Sequence, residues 1–166
     1  MRKEVMRKIS NEQFNIKYEM YKNMLYSIAY TYVKNKDDAE DVVQDVFMKY
    51  LKSNDVFPTL DNEKFWLIKV VINTAKTHVT RIWKKKVNLN DEYINKVADK
   101  KEKRENDLFE VVCKLPSKYK DVIVLFYYED LSIKEISSAL KITEANVKKR
   151  LERGRNIIKE KEKNNG

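Results

Sequence analysis

The sequence predicts an all-α protein made of two small helical domains that are joined by a flexible linker. Only 2 glycines and 2 prolines occur among 166 residues, so few positions favour turns or interrupt a helix. Apolar residues also recur at intervals of three and four, which is the spacing of one buried helical face. The predicted boundaries are residues 10–86 for the first domain, 87–106 for the linker and 107–166 for the second domain.

Three helices are predicted in the first domain. The first covers residues 14–34, and its apolar side consists of Tyr18, Tyr21, Leu25, Ile28, Ala29 and Tyr32. Asp37 is expected to cap the second helix, with Glu40 three residues later as its capping-box partner. A loop at residues 53–61 then leads into the third helix, from 62 to about 83.

The composition changes after the third helix. Residues 87–106 are polar and charged with few apolar anchors, which is typical of a flexible linker. A short helix is predicted at 108–114, and Pro116 is expected at the first position of the next helix. Cys113 lies in an apolar run and is expected to be buried. As the single cysteine, it excludes an internal disulfide and a cysteine-cluster zinc site.

The end of the second domain has the pattern of a helix-turn-helix. Ser132 and Glu135 form a predicted capping box, Lys141 occupies the turn, and Thr143 can cap the second helix. One side of that helix is polar and basic: Asn146, Lys149, Arg150 and Arg153. Such a helix can enter the major groove of DNA. The alternative is a solvated basic helix end, as found on many protein surfaces.

Charge and composition restrict the class of function. The net charge of +9 favours a polyanionic partner, nucleic acid before membrane. No apolar run is long enough to cross a membrane, and the N-terminus lacks a secretory signal, which indicates a cytoplasmic protein. With one histidine, one cysteine and 2 glycines, no catalytic triad, phosphate-binding glycine loop or metal cluster is recognisable. Neither an enzyme nor a cofactor is therefore predicted.

Opposite charges are separated along the first domain. Residues 36–47 contain five acids and one lysine, whereas residues 62–86 contain seven bases and one acid. Asp41, Gln44 and Asp45 share a face of the second helix. That face could dock a basic partner helix, or it could be the solvated side opposite the apolar stripe. Periodicity alone leaves both interpretations open.

The third helix combines cations with aromatic residues. Its polar side contains Lys69, Asn73, Lys76, Thr77, Thr80 and Arg81. Phe65 and Trp66 lie nearby, and aromatic rings beside cations suit single-stranded nucleic acid, since bases stack on rings while cations follow phosphates. Alternatively, both rings belong to the core, and His78, the only histidine, has a structural role.

Three stretches of the chain together resemble RNA polymerase sigma factors of the extracytoplasmic-function (ECF) type. They are DAEDVVQDVF at 38–47, the triplets FWL and NTA at 65–67 and 73–75, and the LP pair at 115–116 with LSIKEISSALKITEANVKKRLERGR at 131–155. The resemblance covers roughly residues 14–83 and 108–159. It implies that the first domain is similar to sigma region 2 and the second to sigma region 4.

The resemblance also implies partners and site residues. Region 2 would hold the coiled-coil clamp of the polymerase β′ subunit through Asp41, Gln44, Asp45, Phe47 and Leu51. It would recognise and open the −10 promoter element, with the loop at 53–61 and with Lys69, Asn73, Lys76, Thr77, Thr80 and Arg81. Region 4 would contact the β flap and the −35 element, the latter through Asn146, Lys148, Lys149, Arg150 and Arg153. The implied partners are core polymerase and promoter DNA, double-stranded and melted; such proteins often have an anti-sigma factor too.

Two other classes of function remain to be compared with this one. A conventional transcription regulator would bind an operator through the helix-turn-helix without acting as a polymerase subunit, and would bind duplex DNA tightly by itself. An interaction protein or a small nucleic-acid enzyme is the third class, and no catalytic constellation supports the enzyme. Copurification with core polymerase distinguishes a sigma factor from these two other classes.

Overall fold

The computed structural model describes residues 8–87 and 107–164, and within these ranges the chain contains helices and no strand. The predicted all-α fold is therefore confirmed for the described residues. Nearly all of the predicted linker, residues 88–106, lies outside them. The predicted domain boundaries accordingly stay a prediction.

Three helices form the N-terminal unit: α1 (Asn11–Val33), α2 (Lys36–Lys52) and α3 (Leu60–Val87). Each helix packs on the other two. The side chains that are fully buried between them include Leu25, Ile28, Val42, Val46, Leu67, Ile68 and Val71. Each such side chain contributes about 1.5–3 kcal/mol of hydrophobic stabilisation, so packing rather than helix propensity holds this unit together.

The first helix begins earlier than predicted, and the second begins at a different cap. α1 starts three residues earlier than expected, because Ser10 and Gln13 form a capping box with bonds of 3.1 and 3.2 Å. The prediction that Asp37 caps α2 is wrong: the Asn35 side chain accepts the Asp38 N–H at 2.8 Å. Asp37 instead lies in the first turn, where a carboxylate favours the positive end of the helix dipole.

Between residues 107 and 164, four α-helices form the C-terminal unit: α4 (Asp107–Cys113), α5 (Ser117–Ile123), α6 (Ile133–Leu140) and α7 (Glu144–Asn164). A π-helical turn, Val124–Tyr128, continues from α5 and was not predicted. Pro116 is the residue before α5, with an extended backbone (ψ 141°), rather than its first helical residue. Cys113 is buried, as predicted.

The predicted helix-turn-helix is confirmed. Ser132 and Glu135 exchange their capping-box bonds at 3.1 and 3.0 Å, and Lys141 occupies the turn at φ 56°. The Thr143 hydroxyl accepts the Asn146 N–H at 3.1 Å at the start of α7. Further along α7, a Cβ on Gly154 would lie 2.9 Å from Ile123 Cγ1, so only glycine allows α5 and α7 to approach this closely.

The two units also pack against each other. Helix α6 lies on α3, while α4 and the π-helical turn contact α1. Buried apolar residues of both units belong to one continuous core. Among the described residues, no helix combines the length and apolar character that crossing a membrane requires.

Candidate functional site

The outer side of α2 is acidic and exposed. We call Asp41, Gln44 and Asp45 the acidic face; all three are exposed on α2. The opposite side of the helix is buried in the core of the N-terminal unit through Ala39, Val42, Val43 and Val46. The helix therefore presents carboxylates to the surroundings on a rigid support.

Phe47 and Leu51 do not share the acidic face. Phe47 is only 4% exposed, and its ring packs edge-on against Phe14 at 5.8 Å and lies 5.0 Å from the ring of Tyr18. Leu51 is half-buried against the same core. Phe47 thus supports the acidic face from below, and the predicted contact set is divided between the surface and the interior.

The polar side of α3 is divided in a similar way. Asn73, Thr77, Thr80 and Arg81 are exposed, whereas Lys69 and Lys76 are half-buried. Both threonine hydroxyls donate to their own helix: Thr77 to the carbonyl of Asn73 and Thr80 to that of Lys76, each at 3.0 Å. Since each hydroxyl hydrogen is used, these oxygens face outward as acceptors.

A groove of about 230 Å³ separates the acidic face from the polar side of α3. Its lining residues are Asp45, Met48, Lys49, Lys52, Thr74, Thr77, His78 and Arg81. The Lys49 ammonium donates to the Thr74 hydroxyl at 2.9 Å across it. His78 Nε2 lies 3.1 Å from an oxygen of Asp38 in the first turn of α2.

A buried carboxylate joins the three helices of the N-terminal unit, and sequence reasoning missed it. Glu63 accepts hydrogen bonds from Lys17 at 2.8 Å, Tyr21 at 3.0 Å and Tyr50 at 2.9 Å. Burial alone would raise the pKa of Glu63, but the bonds from Lys17, Tyr50 and Tyr21 lower it. The sequence did contain a signal for this network, because Glu63 is an acidic residue on the side of α3 that faces the core.

Aromatic rings anchor the loop at residues 53–59 to this network. The Phe57 ring lies 5.6 Å from that of Trp66 and 6.3 Å from that of Tyr50, whose hydroxyl bonds Glu63. Trp66 is half-buried, so it belongs partly to the core, as one of the two predicted interpretations held. Beside Phe57, Val56 is 86% exposed. The loop therefore combines a fixed base with an outward apolar side chain.

The basic side of α7 is the third candidate surface. Asn146, Lys148, Lys149 and Arg153 are exposed, and Arg150 is half-buried. Val147, Leu151 and Gly154 anchor the opposite side in the C-terminal unit. The positive charge of Arg150 acts on both Lys76 and Asp121, which places it near the contact between the units.

Comparison with known proteins identifies this arrangement. Residues 18–85 match sigma-70 region 2, and residues 105–158 match sigma-70 region 4. The RNA polymerase sigma factor SigV of Bacillus subtilis (strain 168) is 33% identical over 141 residues, covering 84% of each chain. The ECF RNA polymerase sigma factor SigM of the same organism is 32% identical over 152 residues, covering 86% of this chain and 90% of its own. The chain belongs to the ECF RNA polymerase sigma factors.

Solved structures share the fold of this sigma factor. CnrH in complex with the cytosolic domain of CnrY has a TM-score of 0.69 at 19% identity, covering 95% of this chain and 92% of its own. The sigma factor RpoE in complex with the anti-sigma factor NepR, from Bartonella quintana, has a TM-score of 0.68 at 19% identity, covering 90% and 96%. The two matched regions correspond to the two units, so α2 and α3 belong to region 2 and α7 to region 4.

Proposed function

We propose that this sigma factor binds core RNA polymerase through the acidic face of α2 and selects promoters through α3 and α7. One observation carries the proposal: the exposed acidic face of α2 and the partly exposed basic side of α3 lie on either side of one groove in region 2, with a second basic helix in region 4. A protein that only binds an operator needs no acidic docking face. The combination fits a subunit that links polymerase to DNA.

The proposed polymerase contact uses Asp41, Gln44 and Asp45. Their spacing places all three on one side of α2. Their charge suits a basic partner helix, such as one in the coiled-coil clamp of the β′ subunit. Leu51 extends this surface at the end of the helix, while Phe47 positions it from the interior.

The proposed −10 contact uses α3 and the loop at residues 53–59. Arg81, Lys69 and Lys76 supply positive charge for phosphates, which positions the DNA without reading its sequence. Asn73, Thr77 and Thr80 carry the polar groups that can discriminate bases. Holding an unpaired base offsets the stacking energy lost when the duplex opens, so this part assists promoter melting by binding alone.

The proposed −35 contact uses the start of α7 in the major groove. Asn146, Lys149 and Arg150 lie in its first two turns, where a recognition helix reaches base edges, with Lys148 and Arg153 beside them. The C-terminal unit is also proposed to contact the β flap. Because polymerase links the two DNA contacts, neither needs high affinity by itself.

The proposed function also includes the place in the cell where the chain acts and a protein that regulates it. We propose that the chain acts without catalysis or a cofactor, in the cytoplasm, where polymerase and promoter DNA are found. The solved relatives bind the cytosolic domain of CnrY and the anti-sigma factor NepR. An anti-sigma factor is therefore proposed for this chain as well.

Reconstituted transcription tests the proposal. Core polymerase with this chain should start transcription at discrete promoters; if no promoter-dependent start appears, the proposal fails. The double variant Asp41→Lys with Gln44→Ala should bind core polymerase more weakly in a pull-down. Its matched control is Glu12→Lys with Asn15→Ala, which makes the same change of charge and a similar loss of an amide at exposed positions of α1. Equal core binding by the two variants would refute the acidic face as the docking surface.

A further inference from the structure

The loop at residues 53–59, between α2 and α3, is held in one shape although most of its side chains face outward. Asn54, Asp55 and Val56 are exposed, Val56 by 86%. A connecting segment outside the helices is ordinarily more mobile than the elements that it joins. The shape of this loop therefore depends on contacts that replace the regular hydrogen bonds of a helix.

Hydrogen bonds fix both ends of the loop. At its start, the Ser53 hydroxyl accepts the Asp55 N–H at 3.0 Å and donates to the Asp55 carboxylate at 2.9 Å. At its end, the Thr59 hydroxyl accepts the Asn62 N–H at 3.1 Å, in the manner of a helix cap. These bonds act over two or three residues, so the middle of the loop must be held by contacts with the helices.

The ring of Phe57 holds the middle of the loop against the N-terminal unit. It stacks on the Tyr50 ring of α2, with 5° between the ring planes and 6.3 Å between the ring centres. Its centre also lies 5.6 Å from that of Trp66 on α3, and the rings of Tyr50 and Trp66 lie edge-on to each other at 6.2 Å. Aromatic pairs in such arrangements are stabilised beyond the burial of their area. The loop is thus attached to two helices at one residue.

Tyr50 in turn is held by the buried carboxylate of Glu63. It is only 3% exposed, and its hydroxyl donates to Glu63 Oε2 at 2.9 Å. Lys17 and Tyr21 of α1 donate to the other oxygen, Oε1, at 2.8 and 3.0 Å. Because hydrogen bonds to a charged group are strong, the Tyr50 ring is fixed at both its hydroxyl and its stacked face. Two rings therefore connect the loop to a carboxylate that joins all three helices.

We propose that Tyr50 is a positioning residue for promoter recognition, which holds the loop in the shape that places Val56 against an unpaired base of the −10 element. The proposal rests on the proposed function, because that function assigns the loop to the −10 contact. Tyr50 is too buried to touch DNA, so it acts through the ring of Phe57.

A fixed loop favours discrimination among bases. Apolar side chains such as Val56 can pack on a base that has left the stack. A loop that already has its bound shape loses little conformational entropy when DNA binds. It also excludes bases that do not fit this shape, whereas a mobile loop adapts to them. Loss of the support beneath Phe57 should therefore weaken discrimination more than it weakens the fold.

Matched substitutions at the same carboxylate test the role of Tyr50. Tyr50→Leu removes the ring beneath Phe57 together with one donor to Glu63. Tyr21→Leu is the control: it removes a similarly buried ring, 5% exposed, and one donor to Glu63. Among the described residues the Tyr21 ring makes no aromatic contact with the loop. If a leucine variant does not fold, Tyr50→Phe and Tyr21→Phe make the same comparison with smaller expected effects, since each removes one hydroxyl from Glu63.

Backbone relaxation, measured by NMR on the full chain, tests the positioning itself. In the wild type and in Tyr21→Leu, the amide order parameters of residues 54–57 should be near the value of rigid backbone, about 0.85. In Tyr50→Leu they should fall below about 0.6, the range of flexible segments. Equal order parameters in the two variants would overturn the positioning role of Tyr50.

Reconstituted transcription tests the consequence for promoters. The probe is a promoter used by the wild type, in which each base is placed in turn at every position of the −10 element. Val56→Ala identifies the position that the loop reads, as the one where this variant weakens discrimination. There the ratio of transcript from the best base to that from the worst should be about tenfold smaller for Tyr50→Leu than for Tyr21→Leu. Equal ratios, or no position sensitive to Val56→Ala, would overturn the role in promoter recognition.

The two measurements also distinguish this inference from the proposed function. A mobile loop with unchanged discrimination would leave Tyr50 as a support of the loop and overturn its effect on promoters. If the wild type starts no transcription, the proposed function fails, while the order parameters still decide whether Tyr50 positions the loop.

Discussion

Glu63 inside the N-terminal unit and Asp121 between the units are buried to nearly the same extent, 5% and 7% exposed, yet their surroundings differ. Glu63 receives three hydrogen bonds that engage both of its oxygens, and these bonds lower its pKa despite burial. Asp121 donates to no group and accepts one hydrogen bond among the described residues, from Lys76 at 2.8 Å, while its Oδ1 has no hydrogen-bond partner there; burial raises its pKa to about 7. A satisfied buried charge fixes a unit, whereas a half-satisfied one marks a contact that can separate.

The largest expected effect is the loss of the Glu63 network. Glu63→Ala leaves Lys17, Tyr21 and Tyr50 without their shared acceptor, and we expect the free energy of unfolding to fall by about 3 kcal/mol. Urea denaturation followed by circular dichroism measures it. Asp61→Ala, at an exposed acid in the same first turn of α3, should cost only about 0.5 kcal/mol. Similar losses for the two variants would contradict the special role of Glu63.

Replacing the ion pair between the units should have a smaller effect of opposite sign. Lys76→Met combined with Asp121→Leu removes both charges and fills similar space. We expect the free energy of unfolding, measured by urea denaturation, to stay the same or to rise by about 1 kcal/mol, because the desolvation cost disappears with the pair. Asp121→Leu alone should lower it, since Lys76 then keeps a half-buried charge without its carboxylate. If the double variant is as unstable as Asp121→Leu alone, then the fold depends on the charge of Asp121 as it is expected to depend on that of Glu63.

The smallest effect is a change with pH in the contact between the two units, through Lys120. This lysine donates to the carbonyl of Thr31 at the end of α1, and burial lowers its pKa to about 8 while the units are in contact. Separation of the units should raise that pKa toward its ordinary value, because water then reaches the ammonium. Lys120 therefore loses its proton more readily when the units are in contact. Raising the pH from about 8 toward 10 should favour the form in which the units are in contact. The radius of gyration should fall over this range in the wild type and stay constant in Lys120→Met.

Other charged or titratable groups near Lys120 could also make the contact depend on pH. Lys34 at the end of α1, Lys76 on α3 and Cys113 on α4 all act on it, while Asp121 titrates near 7, below the range used. Because Lys120→Met keeps all four groups, a pH dependence that survives in this variant would assign the effect to them instead.

Local features of the fold were predictable because they depend on neighbours in the sequence. The Ser132–Glu135 capping box, the Thr143 cap and the turn at Lys141 each involve residues within a few positions of one another. Even so, the cap of α2 was assigned to Asp37 when Asn35 has that role. Polar residues two positions apart, such as Asn35 and Asp37, can each cap a helix, so residue type alone does not fix where the helix begins.

The candidate surfaces were predictable as stripes but not as sets of exposed side chains. Helical periodicity placed Asp41, Gln44 and Asp45 on one side of α2 correctly. Periodicity could not show that the Phe47 ring packs against Phe14, since the two residues are far apart in the sequence. For the same reason nothing local indicated that Lys76 would be committed to Asp121, 45 positions away.

By itself, the sequence determined the helical class, the helix-turn-helix, the separation of acidic and basic helices and the family to which they belong. These follow from the spacing of residue types along a helix, which acts over a few residues. Only the tertiary structure decided which charges are exposed, that Glu63 is satisfied, and that Lys120 and Asp121 join the two units. Those outcomes depend on which distant groups can share a buried space, because a charge removed from water must find its partner there.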